Sequence, residues 1–136
     1  MKNRFQKIIL ESVAVKQRLL EDEGLLMTLE KVVEVCIAAF QKDKKLLFCG
    51  NGGSASDAQH IAAELSGRFY KERAPLYAEA LHVNSSFVTA VANDYSYEEV
   101  YARMVRASGR EGDVLFAIST SGNSANILKT IESARQ

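Results

Sequence analysis

The chain has 136 residues, 47% of them hydrophobic and 25% charged, the balance of an ordinary globular domain rather than of a disordered, fibrous or membrane protein. Seventeen basic against seventeen acidic residues give a net charge of zero, which leaves no electrostatic footprint for duplex nucleic acid. No apolar run approaches the roughly 18 residues of a membrane span, and no signal-peptide block follows Met1-Lys2-Asn3-Arg4, so a cytoplasmic protein without membrane or nucleic-acid partners is expected.

From Phe5 the apolar positions Phe5, Ile8, Ile9, Val13, Leu19 and Leu20 recur at helical spacing, with Gly24 as the expected stop. A second stripe from Leu25 to Phe40 runs to the polar turn Gln41–Lys45, which predicts an N-terminal helical hairpin over residues 1–43. Cys36 in that stripe and Cys49 beyond it lack CxxC spacing and read as small buried hydrophobes rather than a bridge. Leu46–Cys49 is a short uninterrupted apolar run, the pattern of a strand buried on both faces of a parallel sheet. A glycine loop follows, then a helix that Ser54 is expected to cap, with Ala55, Ala58, Ile61, Ala62 and Leu65 inward.

Beyond Pro75, Tyr77–Val83 is a weaker strand and Ser86–Ala92 a short helix, leaving Asn93-Asp94 in a loop. Ser96 with Glu99 has capping-box spacing for a helix ending at Gly109, and Gly112-Asp113 is the turn into a second buried strand, Val114–Ile118. A polar loop, Ser119–Asn123, feeds the last helix from Ser124. Strands that each hand over to a Gly/Ser loop and a helix predict an α/β fold, an α/β core over residues 44–136 within a single domain 1–136. The units Leu46–Ile61 and Val114–Ile127 echo each other, so their loops are expected to face one crevice at the carboxyl edge of the sheet, where ligands bind in such folds. Three strands are few against the usual four to six or so, and the core is expected to lack its C-terminal strand or strands and helix.

Four places offer chemistry. Ser119-Thr120-Ser121-Gly122-Asn123-Ser124 sets hydroxyls and free N–H donors around a helix N-terminus, which suits a phosphate monoester or a plain capping turn; without Gly-Lys-Ser/Thr it is no triphosphate loop. Gly50-Asn51-Gly52-Gly53-Ser54 permits close main-chain approach, and the Asn51 amide can donate to and accept from sugar hydroxyls. His60 and Glu64, one turn apart on a helix face close to that loop, admit three readings: a surface hydrogen bond, an acid/base pair, or two metal ligands. Arg68, in a basic cluster with Lys71 and Arg73, is the cation best placed in sequence to meet a phosphate.

In order, Cys49-Gly50-Asn51-Gly52-Gly53-Ser54, Asp57-Ala58-Gln59-His60 with Ala63-Glu64-Leu65, Ala92-Asn93-Asp94 and Ile118–Ser124 closely resemble the phosphoheptose isomerases of the sugar isomerase (SIS) domain family. The resemblance implies a SIS-type parallel-sheet sandwich and conversion of sedoheptulose 7-phosphate to D-glycero-D-manno-heptose 7-phosphate through an enediol, an aldose/ketose isomerase step toward ADP-heptose and lipopolysaccharide cores. It implies Glu64 as catalytic base and Asn51, Gly52, Gly53, Glu64, Asn93, Asp94, Ser119, Thr120, Ser121 and Ser124 as substrate-binding residues. It also implies zinc on His60 and Glu64, with a Gln and a His ligand that this chain lacks, and a homotetramer with sites between subunits. The rival is a non-catalytic SIS module, a sugar-phosphate sensor or a replication-initiator-associating protein, against which Glu64 discriminates.

Overall fold

The computed structural model describes residues 2–136, Lys2 without its side chain, as two compact units that divide between Ile37 and Ala38. The first unit holds helix α1 (Lys2–Glu21) and most of α2 (Glu23–Gln41). The break falls at Asp22, not at Gly24. A carboxylate can accept from a helix's first-turn N–H groups, and Asp22 takes the Leu25 N–H at 2.9 Å, while Gly24 joins the first turn of α2. Only Asp22 separates the helices, and Leu26 N–H still reaches the Asp22 carbonyl at 3.0 Å, so the reversing loop expected of a hairpin is absent. The apolar stripes of both helices are largely exposed, Phe5 and Ile9 each at 60%.

The second unit carries β1 (Leu46–Gly50), α3 (Gly53–Ser66), β2 (Ala78–Ala80), α4 (Ser85–Asp94), a single 3-10 turn (Tyr97–Glu99), α5 (Val100–Ser108), β3 (Val114–Ile118) and α6 (Ala125–Ala134). The strands form one parallel sheet in the order β2-β1-β3, and β1 lies residue for residue against β3 from Leu46–Val114 to Gly50–Ile118. Side chains alternate across a sheet. Leu47 and Cys49 therefore meet Leu81, Val91, Val100, Tyr101, Val105 and Ile127 in the core, with α4, α5 and α6 on that face. On the other face Phe48 stacks on Phe116, ring centres 4.9 Å apart, and α3 packs with Ala58 and Ala62 buried. This is the α/β fold expected, helices on both faces of a parallel sheet.

β1 is wholly buried, as its unbroken apolar run predicts. β3 has the same kind of sequence and stands at one edge of the sheet, but it is only half-buried. The fold also moves three expected boundaries. α3 is capped by Gly52, not Ser54, and Ile61 faces outward. Asn84, rather than a residue nearer Ser86, caps α4 by accepting from Phe87 N–H at 3.0 Å. Ser96 precedes the 3-10 turn but its side chain makes no capping bond, and the Glu99 carboxylate, instead of reaching back to Ser96, pairs with Arg106 and Lys129. Both cysteines are free, and burial pushes the Cys49 thiol up to about 12. Among the described residues no helix is long and apolar enough to cross a membrane.

Candidate functional site

Because β1 and β3 are adjacent and parallel, their carboxyl ends deliver two loops to the same edge of the sheet. The glycine loop leaves Gly50 and enters α3; the serine loop leaves Ile118 and enters α6. The glycine loop is tight for steric reasons. A Cβ at Gly50 would stand 2.6 Å from the Ser54 main chain, and Gly52 has φ +55°, open to glycine at little cost and strained for other residues. The Asn51 carbonyl takes Ser54 N–H at 3.0 Å and the Gly52 carbonyl takes Ala55 N–H at 3.1 Å. The N–H groups of Gly52 and Gly53 keep no partner among the described residues.

Serine hydroxyls shape the second loop. Ser119 Oγ accepts from Gly122 N–H at 3.1 Å, Ser121 Oγ accepts from Asn123 N–H at 3.2 Å, and the two oxygens lie 3.4 Å apart. Such side-chain turns hold the loop open in place of a main-chain ladder. They leave hydroxyl hydrogens and the N–H groups of Thr120 and Ser121 without main-chain partners beside the first turn of α6. Ser124 is the N-cap of α6 by backbone geometry, without a side-chain capping bond. Hydroxyl donors, unpartnered N–H groups and a helix N-terminus together favour an anion of phosphate size.

The two loops are joined directly. Asn51 Nδ2 donates to Asn126 Oδ1 at 2.9 Å, Asn126 Nδ2 donates back to Asn51 Oδ1 at 2.8 Å, and the Tyr97 hydroxyl donates to the same Asn51 oxygen at 3.3 Å. The Tyr101 hydroxyl, buried, donates to the Gly50 carbonyl at 2.6 Å, and burial pushes that phenol's pKa up. Tyr97 is carried by a turn that Glu99 ties to α5 through Arg106 at 2.8 Å and to α6 through Lys129. Hydrogen bonds from Lys129 and then Arg106 hold the Glu99 carboxyl below its usual range. Asn126 and Tyr97 escaped the sequence reading, since a polar residue in a first helical turn looks solvent-facing. The available sign was spacing: Asn126 and Thr130 are four apart and flank Ile127, and all three are buried.

The remaining expected residues fall in three places. Asn93 and Asp94 form the last turn of α4 rather than a loop; they are exposed, and Asn93 Nδ2 donates to Asp94 Oδ1 at 2.8 Å. His60 and Glu64 do share a face of α3, Nε2 to Oε1 3.7 Å, but they are not close to the glycine loop. At 1.5 Å rise per residue they stand about 10 and 16 Å along the helix from Gly53. Arg68 lies past the far end of α3, some 20 Å from that loop by the same rise, and its guanidinium is 3.5 Å from Glu72. Within one copy it reaches neither loop. Two donors at i, i+4 spacing suit part of a zinc site, yet zinc takes three or four protein ligands. Among the described residues no group of three or more His, Cys, Asp or Glu is placed to hold a metal, so these residues do not build a zinc site by themselves.

With two such loops joined at one edge of a parallel sheet, the family model described as "SIS domain" matches residues 7–136: the chain belongs to the SIS domain family. Among the relatives that it matches are phosphoheptose isomerases. The phosphoheptose isomerase of Mycobacterium bovis (strain BCG / Pasteur 1173P2) is 51% identical over 131 residues, 96% of this chain and 67% of that protein. That of Clostridium acetobutylicum is 46% identical over 136 residues, 100% of this chain and 69% of that protein. The structure of phosphoheptose isomerase GmhA from Neisseria gonorrhoeae superposes with a TM-score of 0.89 at 41% identity, covering 98% of this chain and 68% of that one. This chain thus spans about two thirds of the length of these proteins. Relatives of that name imply an isomerase.

Proposed function

We propose that the chain is a phosphoheptose isomerase that converts sedoheptulose 7-phosphate to D-glycero-D-manno-heptose 7-phosphate on the way to ADP-heptose and lipopolysaccharide cores. The observation that carries the reading is the junction of the two loops at one sheet edge through Asn51 and Asn126, in a chain whose relatives bear that name. The serine loop, with Ser119, Thr120, Ser121 and Ser124, takes the phosphate; Gly52 and Gly53 offer N–H groups, and Asn93 and Asp94 side-chain groups, to the sugar. A carboxylate then removes the proton from C1 of the ketose as O2 is protonated, giving an enediol; the O1 proton leaves and C2 is protonated to give the aldose. Glu64 is the proposed base. Its place about 16 Å along α3 from Gly53 supports a role toward the loops of another copy, in a homotetramer for which the exposed apolar helices α1 and α2 would supply assembly surface. A zinc ion on His60 and Glu64 would likewise need ligands from outside this chain, and no step here passes through it. The protein would work in the cytoplasm.

The same separation supports a second reading, a sugar-phosphate-binding module without turnover. Glu64→Gln separates the two. The isomerase reading expects turnover of sedoheptulose 7-phosphate by the unmodified protein and its loss in the variant, with sugar-phosphate affinity within about threefold. Unchanged turnover in Glu64→Gln rejects Glu64 as base, and binding without turnover in the unmodified protein selects the second reading.

A further inference from the structure

We propose that Asn126 is a positioning residue for this site, a latch that sets the spacing between the glycine loop and the serine loop; the idea rests on the sugar-phosphate reading above. The Asn51 amide, expected to face the sugar, is occupied by the protein itself. Its oxygen accepts from Asn126 and from Tyr97, filling both lone pairs, and one of its two N–H bonds goes to Asn126. Asn51 therefore has a single N–H left for a ligand and cannot accept from a sugar hydroxyl. Asn126 is 4% exposed, so its amide lies inside the fold, where both of its bonds to Asn51 are sheltered from water. Asn126 is the second residue of α6, directly after the serine loop, and Asn51 directly precedes the two unpartnered N–H groups of the glycine loop. A reciprocal amide pair at that point fixes both the distance and the tilt between the groups that would hold the phosphate and those that would hold the sugar. Misplacement of about 1 Å is enough to cost orders of magnitude in rate.

The test uses the whole 136-residue chain. Asn126→Leu removes both amide bonds. Asn126→Asp at neutral pH keeps the acceptor for Asn51 Nδ2 but loses the donor to Asn51 Oδ1; protonation of the introduced carboxyl restores that donor. Hydrogen exchange at Ser54, Ala55, Gly122 and Asn123, whose N–H groups are bonded within the two loops, is read beside turnover of sedoheptulose 7-phosphate. Expected in Asn126→Leu is about tenfold faster exchange at those four amides, with Phe48 and Tyr101 changed less than about twofold, and a kcat/KM about tenfold lower or worse. Expected in Asn126→Asp is recovery, relative to the unmodified protein at each pH, between about pH 7 and 5, and Tyr97→Phe should show a smaller loss of the same kind. Unchanged loop exchange in Asn126→Leu overturns the latch. If that variant does not fold, an Asn126→Asp ratio that ignores pH overturns it instead. Absent turnover in every protein, with the exchange pattern as expected, overturns the isomerase reading and keeps the latch.

Discussion

Ser119 and Ser121 each use their oxygen to close the loop they stand in, which leaves the hydroxyl hydrogens as what they offer a phosphate. Replacing either by Ala removes a donor to the ligand and an internal brace at once. Ser119→Ala and Ser121→Ala should each weaken binding of a phosphorylated sugar by about 1 kcal/mol, more if an anionic oxygen is left without a donor, when measured by calorimetry. Equal affinity of the unmodified protein for the sugar with and without its phosphate would sink the phosphate assignment. Asn51 shows how residue chemistry outruns sequence pattern. Its type marks it as a sugar-binding amide, but its partner lies 75 positions away, a distance no local pattern spans, so the occupied lone pairs appear only when the fold is built.

At the scale of elements, the entrance to β3 is held by Asp113, which accepts from the Lys45 ammonium at 2.5 Å, from Lys45 N–H at 3.1 Å and from Arg110 N–H at 2.8 Å. Burial pushes this carboxyl up, but the Lys45 and Arg110 hydrogen bonds outweigh it and the net shift is downward. A carboxyl lowered in the folded state contributes stability above its ordinary value near 4, and that contribution is lost as pH falls through the lower folded value. Both side chains are nearly buried, so Asp113→Asn should cost about 3 kcal/mol at neutral pH by leaving the Lys45 charge unpaired. The gap between the two proteins in urea unfolding should close on acidification below about pH 4; a gap that stays constant or widens would remove Asp113 from the acid response. The same scale shows what was legible. β1 and β3 follow from Leu46–Cys49 and Val114–Ile118, whose unbroken apolar runs admit few other homes. The start of α3 was hidden, since the positive φ of Gly52 and not the Ser54 hydroxyl ends the loop. Glu99 read as half of a capping box because spacing carries no information about Arg106 and Lys129, which compete for it.

At the scale of the whole molecule, the apolar face of α1 asks for cover. Phe5, Ile8 and Ile9, at helical spacing on one face, are 53–60% exposed, an apolar stripe of the kind that marks an association surface. Sedimentation should find the protein associated, and Ile9→Glu should shift it toward smaller species while leaving the circular dichroism of the α/β unit in place. A unmodified protein that sediments as a monomer at micromolar concentration would sink the tetramer and, with it, the supply of Glu64 from another copy. β3 has a consequence of another kind. Among the described residues this strand has a sheet neighbour on one side only, and its sequence Val-Leu-Phe-Ala-Ile carries no lysine or proline to guard the other. Such a segment is also the raw material of cross-β fibrils. Concentrated, partly opened protein is therefore expected to seed thioflavin-binding aggregates through Val114–Ile118, so the strand that brings the phosphate loop to its place is also where the chain is most exposed to misassembly.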